Sequence, residues 1–219
     1  MQLLLVRHAL PERVDPGRVD PTDGVRAADA EPSGPADPGL TPQGWRQAER
    51  LVGLLGPGSG VPVEAVCTSP MARARATAAP LADALGLEPV VLDDLVEYDA
   101  DSARYVPVHE MARLDPAAWR RMQGGLLPEH VDVTAFTDRV EAALERVVAA
   151  HPGRGTVVVV AHAGVLGCWL ARLLGISRPL VFPLDYTGVT RVLAARDGRR
   201  VVRSVNEISH VLDLLGTPS

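Results

Sequence analysis

Lysine is absent from this sequence, so all 22 of its fixed cations are arginines. That pattern fits the codon bias of a GC-rich genome better than a demand for a basic surface. Acidic residues outnumber the arginines, 27 to 22, and the formal net charge is −5. A chain of that sign carries no long-range field to gather nucleic acid or an acidic membrane. Cysteine is scarce as well. Cys67 and Cys168 sit in apolar surroundings (EAVCTSP, VLGCWLA), which argues against a disulfide framework and for a reducing compartment. A secretory signal is not expected, because the opening apolar run LLLV is far too short and Arg7 follows it instead of preceding it. The most apolar stretch, residues 156–174, is broken by His162, Gly164, Gly167 and Arg172, so a strand followed by a helix explains it better than a membrane span. A cytoplasmic location is the expectation. Close His/Cys/Asp spacings of the kind that ligate metals are missing, so neither metal nor cofactor is expected.

What is present is an alternation of short aliphatic runs with helical periods. A length of 219 residues suits one domain with a full core. Residues 2–7 read as a buried strand. Residues 11–39 are rich in Pro, Asp and Gly and show no apolar period, which marks an insert or flap within the domain. Thr41-Pro42 reads as a helix start, followed by Ala48, Leu51, Val52 and Leu55 at helical spacing and stopped at Gly56-Pro57-Gly58. A strand at 63–68 leads to Ser69-Pro70, which repeats the cap-plus-proline signal for a helix ending near Leu85 and Gly86. A short strand follows at 89–92, then one helix near 109–122, a Gly-Gly break at 124–125 and a helix over 135–150. Residues 156–161 are a buried strand and 164–174 a helix apolar nearly all round. Two extended runs flank Asp197-Gly198, a hairpin signal. The expected fold class is α/β: a mainly parallel central sheet flanked by helices on both faces, with a C-terminal antiparallel hairpin.

In open sheets of this kind ligands bind beyond the carboxyl ends of the strands. The first strand ends at Arg7-His8. The second ends at Thr68-Ser69, and Arg73 and Arg75 lie in the first two turns after it. The strand at 156–161 ends at His162. Parallel strands bring these ends to one edge, where clustered cations repel one another unless an anion joins them. Arginine's forked donors suit a phosphoryl group, and helix N-termini after residues 69 and 162 are expected to add backbone N–H donors. Helical geometry alone leaves Arg73 and Arg75 both open.

With those residues placed, the sequence resembles the histidine phosphatase superfamily, the phosphoglycerate mutase-like fold. LLLVRHA is similar to its opening Arg-His signature, LTPQGWRQAE to its Leu-Thr-x-x-Gly-x-x-Gln-Ala segment, CTSPMARARATA to its Ser-x-x-x-Arg-Ala-x-x-Thr-Ala segment and VVVVAHAGVL to its second histidine motif. The four occur in the family's order. The resemblance implies a phosphohistidine mechanism with His8 as nucleophile, His162 as the second pocket histidine, and Arg7 and Arg73 as phosphoryl clamps; the motif match selects Arg73 over Arg75. It also implies a proton donor after the third strand, in LDDLVEYDAD, where Glu97 matches best and Asp99 is the runner-up. Neighbouring Arg7 and Arg73 should lower the His8 pKa, and its second ring nitrogen should donate to a backbone carbonyl. His210 resembles a C-terminal family position with a packing or carbonyl-anchoring role. His109, His130 and His151 read as surface or helix-end residues.

The chain departs from the pattern at Ala9, where glycine is usual, and at Leu10, where glutamate often follows. An asparagine that many members carry shortly afterwards has no counterpart. The middle segment is short, and Arg104, Arg113, Arg120 and Arg121 are its only cations. These departures favour a phosphomonoesterase acting on a small phosphorylated substrate over a phosphoglycerate-type mutase. A phosphate-binding regulatory module without chemistry and a phosphoprotein phosphatase are further alternatives. Oligomeric state is not readable from the sequence.

Overall fold

In the computed structural model, residues 1–14 and 35–215 are described. Most of the expected insert at 11–39 therefore lies outside the described residues; its first residues form the isolated bridges Pro11–Leu40 and Val14–Tyr105, and near its other end the Ala36 N–H donates to Ser102 O at 2.7 Å. The elements in order are β1 (Gln2–Arg7), α1 (Pro42–Leu55), β2 (Val63–Thr68), α2 (Ala72–Leu85), β3 (Val90–Val91), α3 (Val108–Leu114), α4 (Pro116–Gln123), α5 (Val133–Ala150), β4 (Thr156–Ala161), α6 (Ala163–Leu174), β5 (Val189–Ala194) and β6 (Arg200–Glu207). They form a six-stranded sheet in the order β3-β2-β4-β1-β5-β6. β1 to β4 run parallel, whereas β5 pairs antiparallel with β1 and β6 with β5. The α/β class and the mainly parallel sheet are as the sequence indicates.

The continuous apolar strands follow from burial on both faces. Alternate residues of β1 and β4 serve opposite layers. Leu3, Leu5, Val157 and Val159 pack with Phe136, Leu144 and Trp169 of α5 and α6. Leu4, Val6, Val158 and Val160 pack with Leu51, Leu55, Ala78 and Leu81 of α1 and α2. The hairpin does more than add an edge: β5 closes the open side of β1, so the strand carrying Arg7 and His8 lies inside the sheet.

Four boundaries differ from the sequence reading. The expected helix near 109–122 is two helices, because Pro116 opens α4 and Asp115, whose side chain accepts from the Ala118 N–H, caps it. The helix expected from 135 starts at Val133, capped by Asp132. The third strand shortens to Val90–Val91. Ser69 does not cap α2: that helix begins at Ala72 after Met71 and has no side-chain cap bond. Thr41 does cap α1, its side chain accepting from the Gly44 N–H with Pro42 in the first turn. No helix among the described residues is long and apolar enough to cross a membrane.

α1 also fixes the chain that leaves β1. Leu10 N–H donates to Gln47 Oε1 at 2.8 Å, while Leu10 O accepts from the Thr41 backbone at 3.1 Å and its hydroxyl at 3.2 Å. The segment lies so close to the helix that a Cβ on Gly44 would fall 2.1 Å from Leu10 O. In contrast, a Cβ on Gly53, more than two turns further along α1, meets nothing within 4 Å. Gly44→Ala should therefore cost about 1–3 kcal/mol through overpacking. Gly53→Ala should gain about 0.5–1 kcal/mol from reduced unfolded-state entropy. Thermal unfolding of the two variants checks this, and a Gly44→Ala protein as stable as the parent would contradict the packing account.

Candidate active site

The β1–β4–β2 register sets the site. Arg7 aligns with Ala161, and Thr68 with Val160. The residues that follow continue the ladder: the His8 N–H donates to Ala161 O at 2.8 Å and the Ser69 N–H to Val160 O at 3.0 Å. His8, Ser69 and His162 therefore leave three neighbouring strands at one level. The rings of His8 and His162 come within 5.1 Å, centroid to centroid, inclined by 57°. Both are buried, as are Arg7, Arg73 and Glu97.

The His8 Nδ1–H donates to Ala9 O at 2.8 Å, which leaves the lone pair on Nε2. Ala9 is held in turn by its N–H, which donates to Thr77 Oγ1 at 2.9 Å. Ala9 does not adopt a positive φ, so the methyl group in place of glycine is accommodated. Burial first, then Arg73 and Arg7, hold the His8 imidazole well below its ordinary pKa. The same causes, with His8 itself, depress His162. Ser69 Oγ lies 2.8 Å from His162 Nε2, so the serine read as a helix cap belongs to the site.

Arg7 is fastened at one end. Its Nη1 donates to Leu184 O at 2.5 Å and its guanidinium stacks 4.0 Å from the Tyr186 ring. Arg73 donates through Nη2 to Asp99 at 3.1 Å and lies 4.6 Å from the Tyr105 ring. Nε of Arg7 and Nε and Nη1 of Arg73 are buried and make no hydrogen bond among the described residues. Donors that are desolvated and unpaired are costly, and an oxyanion is the partner that satisfies them. Arg75 is exposed and stands apart, so the structure separates the two arginines that periodicity alone could not.

Glu97 follows a single helical turn at Asp93–Leu95. Its Oε2 accepts from the Gly164 N–H at 2.8 Å and its Oε1 from the Tyr98 N–H at 3.0 Å. Burial, with Asp99 nearby, pushes the Glu97 carboxyl up to about 7. Arg139 of α5 anchors the turn from behind, donating to Asp94 O at 2.7 Å and Val96 O at 3.0 Å. Asp99 has a different position: it pairs with Arg73, and burial raises its pKa against the pull of that arginine. The expected helix-terminal donors are engaged internally. The Gly164 N–H of α6 goes to Glu97, and the Ala72 N–H of α2 goes to both oxygens of Asp37 at 2.9 Å.

His210 is half-buried. Burial lowers its pKa, and its two ring nitrogens make no hydrogen bond among the described residues, so its place is a packing position and not a carbonyl anchor. Sequence reasoning missed Ser69, Tyr186 and Arg139 as parts of the site. Ser69 was legible as the first residue of its motif; the other two carry no local signal. Among the described residues no three His, Cys, Asp or Glu side chains group as metal ligands. Cys67 and Cys168 are free and buried, and burial pushes both thiols up to about 11.

Residues 3–207 match the histidine phosphatase superfamily (branch 1). The chain belongs to that superfamily. A bifunctional protein of Mycobacterium tuberculosis is 31% identical over 215 residues, covering 96% of this chain and 55% of that protein. The chain thus spans about half the length of the first curated relatives it matches. Phosphoserine phosphatase 1 of Hydrogenobacter thermophilus is 28% identical over 96% of this chain and 94% of its own. Among solved structures, a phosphoserine phosphatase mutant from Entamoeba histolytica in complex with phosphoserine shares the fold, with a TM-score of 0.69 at 19% identity, covering 96% of this chain and 99% of that one. In this histidine phosphatase chain three of the four sequence motifs contribute to the lining of one cavity of about 430 Å³, through Arg7 and His8, Arg73, and Ala163 and Gly164, with Glu97 beside them; the remaining motif, in α1, holds Leu10 just past His8.

The depressed histidines give a check that needs no substrate. An unfolded histidine titrates near about 6.5, and the folded rings titrate lower. The unfolded chain therefore binds more protons in that window, and the stability these rings contribute is lost as pH falls from about 6.5 through their folded values. NMR titration of the His8 and His162 ring resonances should give midpoints below 6.5, and Arg73→Leu should raise both. Midpoints at or above 6.5 in the parent would contradict the site's electrostatics.

Proposed function

We propose that this chain is a phosphomonoesterase working through a phosphohistidine on His8, without metal or cofactor. The observation that carries the reading is the pairing of a His8 ring whose Nδ1–H is fixed on Ala9 O with buried donors of Arg7 and Arg73 that make no hydrogen bond among the described residues. A monoester phosphoryl group satisfies those donors, with His162 as a further contact. Nε2 of His8 attacks phosphorus, and the bond to the leaving oxygen breaks. Glu97, neutral below about 7, gives its proton to that oxygen. The resulting carboxylate then takes a proton from water; the water oxygen attacks phosphorus, the P–N bond breaks, and neutral His8 and protonated Glu97 return. Asp99 holds Arg73 in this scheme, which is why Glu97 is assigned the proton and Asp99 is not.

The mutase alternative asks for cations that grip a second anionic group. Arg104, Arg113, Arg120 and Arg121, the cations of the middle segment, are not among the residues lining the cavity. A non-catalytic phosphate sensor has no use for a buried carboxyl raised to about 7 beside the pocket. The reading takes residues 1–219 as one domain, with the 11–39 segment an insert, and places the protein in the cytoplasm with a phosphorylated small molecule as its partner.

Hydrolysis of phenyl phosphate in the presence of EDTA tests the proposal. The parent should turn over, and His8→Ala should lose activity by at least about 1,000-fold. Full activity of that variant would overturn the assignment. The acid role of Glu97 has its own signature: kcat should fall as pH rises through about 7, and Glu97→Gln should lower kcat roughly 100-fold or more and remove that limb. A profile unchanged in Glu97→Gln would point to another donor.

A further inference from the structure

α3 and α4 have no core to pack into. Neither contributes a buried residue, although α3 carries Val108 and Met111, and α4 Trp119 and Met122, each pair three residues apart on one face. All four side chains line the cavity that contains His8, facing Phe182 and Leu180 of the loop after α6. Apart from the phosphoryl end, the polar side chains in the lining are Asp185 and the neutral amide of Gln123 at the end of α4. Among the described residues the lining holds two arginines, Arg7 and Arg73, and three acids, Glu97, Asp99 and Asp185. Of the arginines of the two helices, Arg113 pairs with Glu110, Arg121 with Glu129 and Leu127 O, and exposed Arg120 is not among the lining residues.

Among the described residues, a substrate bearing a carboxylate or second phosphate beyond its ester would meet apolar surface, acids and one neutral amide there, and no arginine to replace its hydration. An apolar group would remove the helix face from water at about 25 cal/mol per Å². The cavity of about 430 Å³ falls in the roughly 300–1,000 Å³ range of sites that enclose drug-sized ligands.

Resting on the phosphomonoesterase reading, we propose that the substrate is the phosphate monoester of an apolar alcohol, its hydrocarbon part seated between α3, α4 and the 180–182 loop. The α3–α4 face is then a specificity wall, and the chain discriminates against phosphorylated hydroxy- and amino-acids of the kind its named relatives handle.

The test is a series with constant primary-alkoxide chemistry: ethyl, butyl and hexyl phosphate, with phosphoserine and phenyl phosphate alongside. A buried methylene is worth about 0.8 kcal/mol, or roughly fourfold, so kcat/KM should rise at least about tenfold from ethyl to hexyl, with phosphoserine no better than ethyl. Trp119→Ala and, independently, Met111→Gln should each cut the hexyl-to-ethyl ratio about threefold or more. A flat series, or phosphoserine as the best substrate, overturns the inference and leaves the phosphatase reading standing. Failure to hydrolyse any ester, phenyl phosphate included, overturns the phosphatase reading. The wall is then judged by calorimetry with alkylphosphonates: hexylphosphonate should bind at least about tenfold tighter than ethylphosphonate, with a more negative heat-capacity change, and equal affinities would refute it.

Discussion

Two guanidinium groups are held almost without solvent around two neutral imidazoles, and the rest of the structure is arranged to make that tolerable. Burying like charges side by side is unfavourable unless each is partly compensated. Arg7 receives a carbonyl and a tyrosine face, and Arg73 receives Asp99 and a tyrosine face. The compensation is incomplete: Nε of Arg7 and Nε and Nη1 of Arg73 make no hydrogen bond among the described residues, and the Asp37 carboxylate stands 3.8 Å from Arg73 Nη1, beyond hydrogen-bond reach. That residual demand for an anion suits a sheet edge to a phosphoryl group. Burial first, and then the same two arginines, favour neutral His8 and His162, so one arrangement offers both an anion's donors and a nucleophile's lone pair.

Precision comes from the layers around the site. The ladder bonds of β1, β4 and β2 set the heights of His8, His162 and Ser69, and the Ala9 carbonyl sets the His8 tautomer. Thr77 and the α1 residues Gln47 and Gly44 then hold the chain just past His8. Glu97 is placed by contacts far apart in sequence: Gly164 at the start of α6 accepts no side chain larger than hydrogen, since a Cβ there would lie 2.4 Å from Glu97 Oε1. The glycines and threonines that look incidental within the four motifs are thus the supports of the reacting groups.

Much of this was legible in the sequence because it is encoded locally. Unbroken aliphatic runs marked buried strands, Thr41-Pro42 marked a helix start, and a histidine directly after β1 and after β4 marked the site edge. Other features were hidden because they depend on tertiary contact. Ser69-Pro70 carries the pattern of a helix cap, yet the chain needs two more residues to turn, and the hydroxyl goes to His162. Tyr186 and Arg139 reach the site from distant segments without a motif. The middle segment reads as one helix near 109–122, but Asp115-Pro116 breaks it into two short helices whose apolar faces meet the cavity and not the core. That is also why substrate preference was out of reach: the wall that sets it has no periodicity long enough to announce a core helix.

The central claim is that His8 carries the phosphoryl group between ester and water. The direct measurement is to mix the protein with a labelled phosphate monoester, quench during turnover, and map the label by mass spectrometry. The account predicts a stoichiometric fraction of phosphoryl groups on the His8 ring, stable to base and lost in acid. Steady turnover with the label on another residue, or with none on the protein under conditions that preserve phosphohistidine, would contradict it.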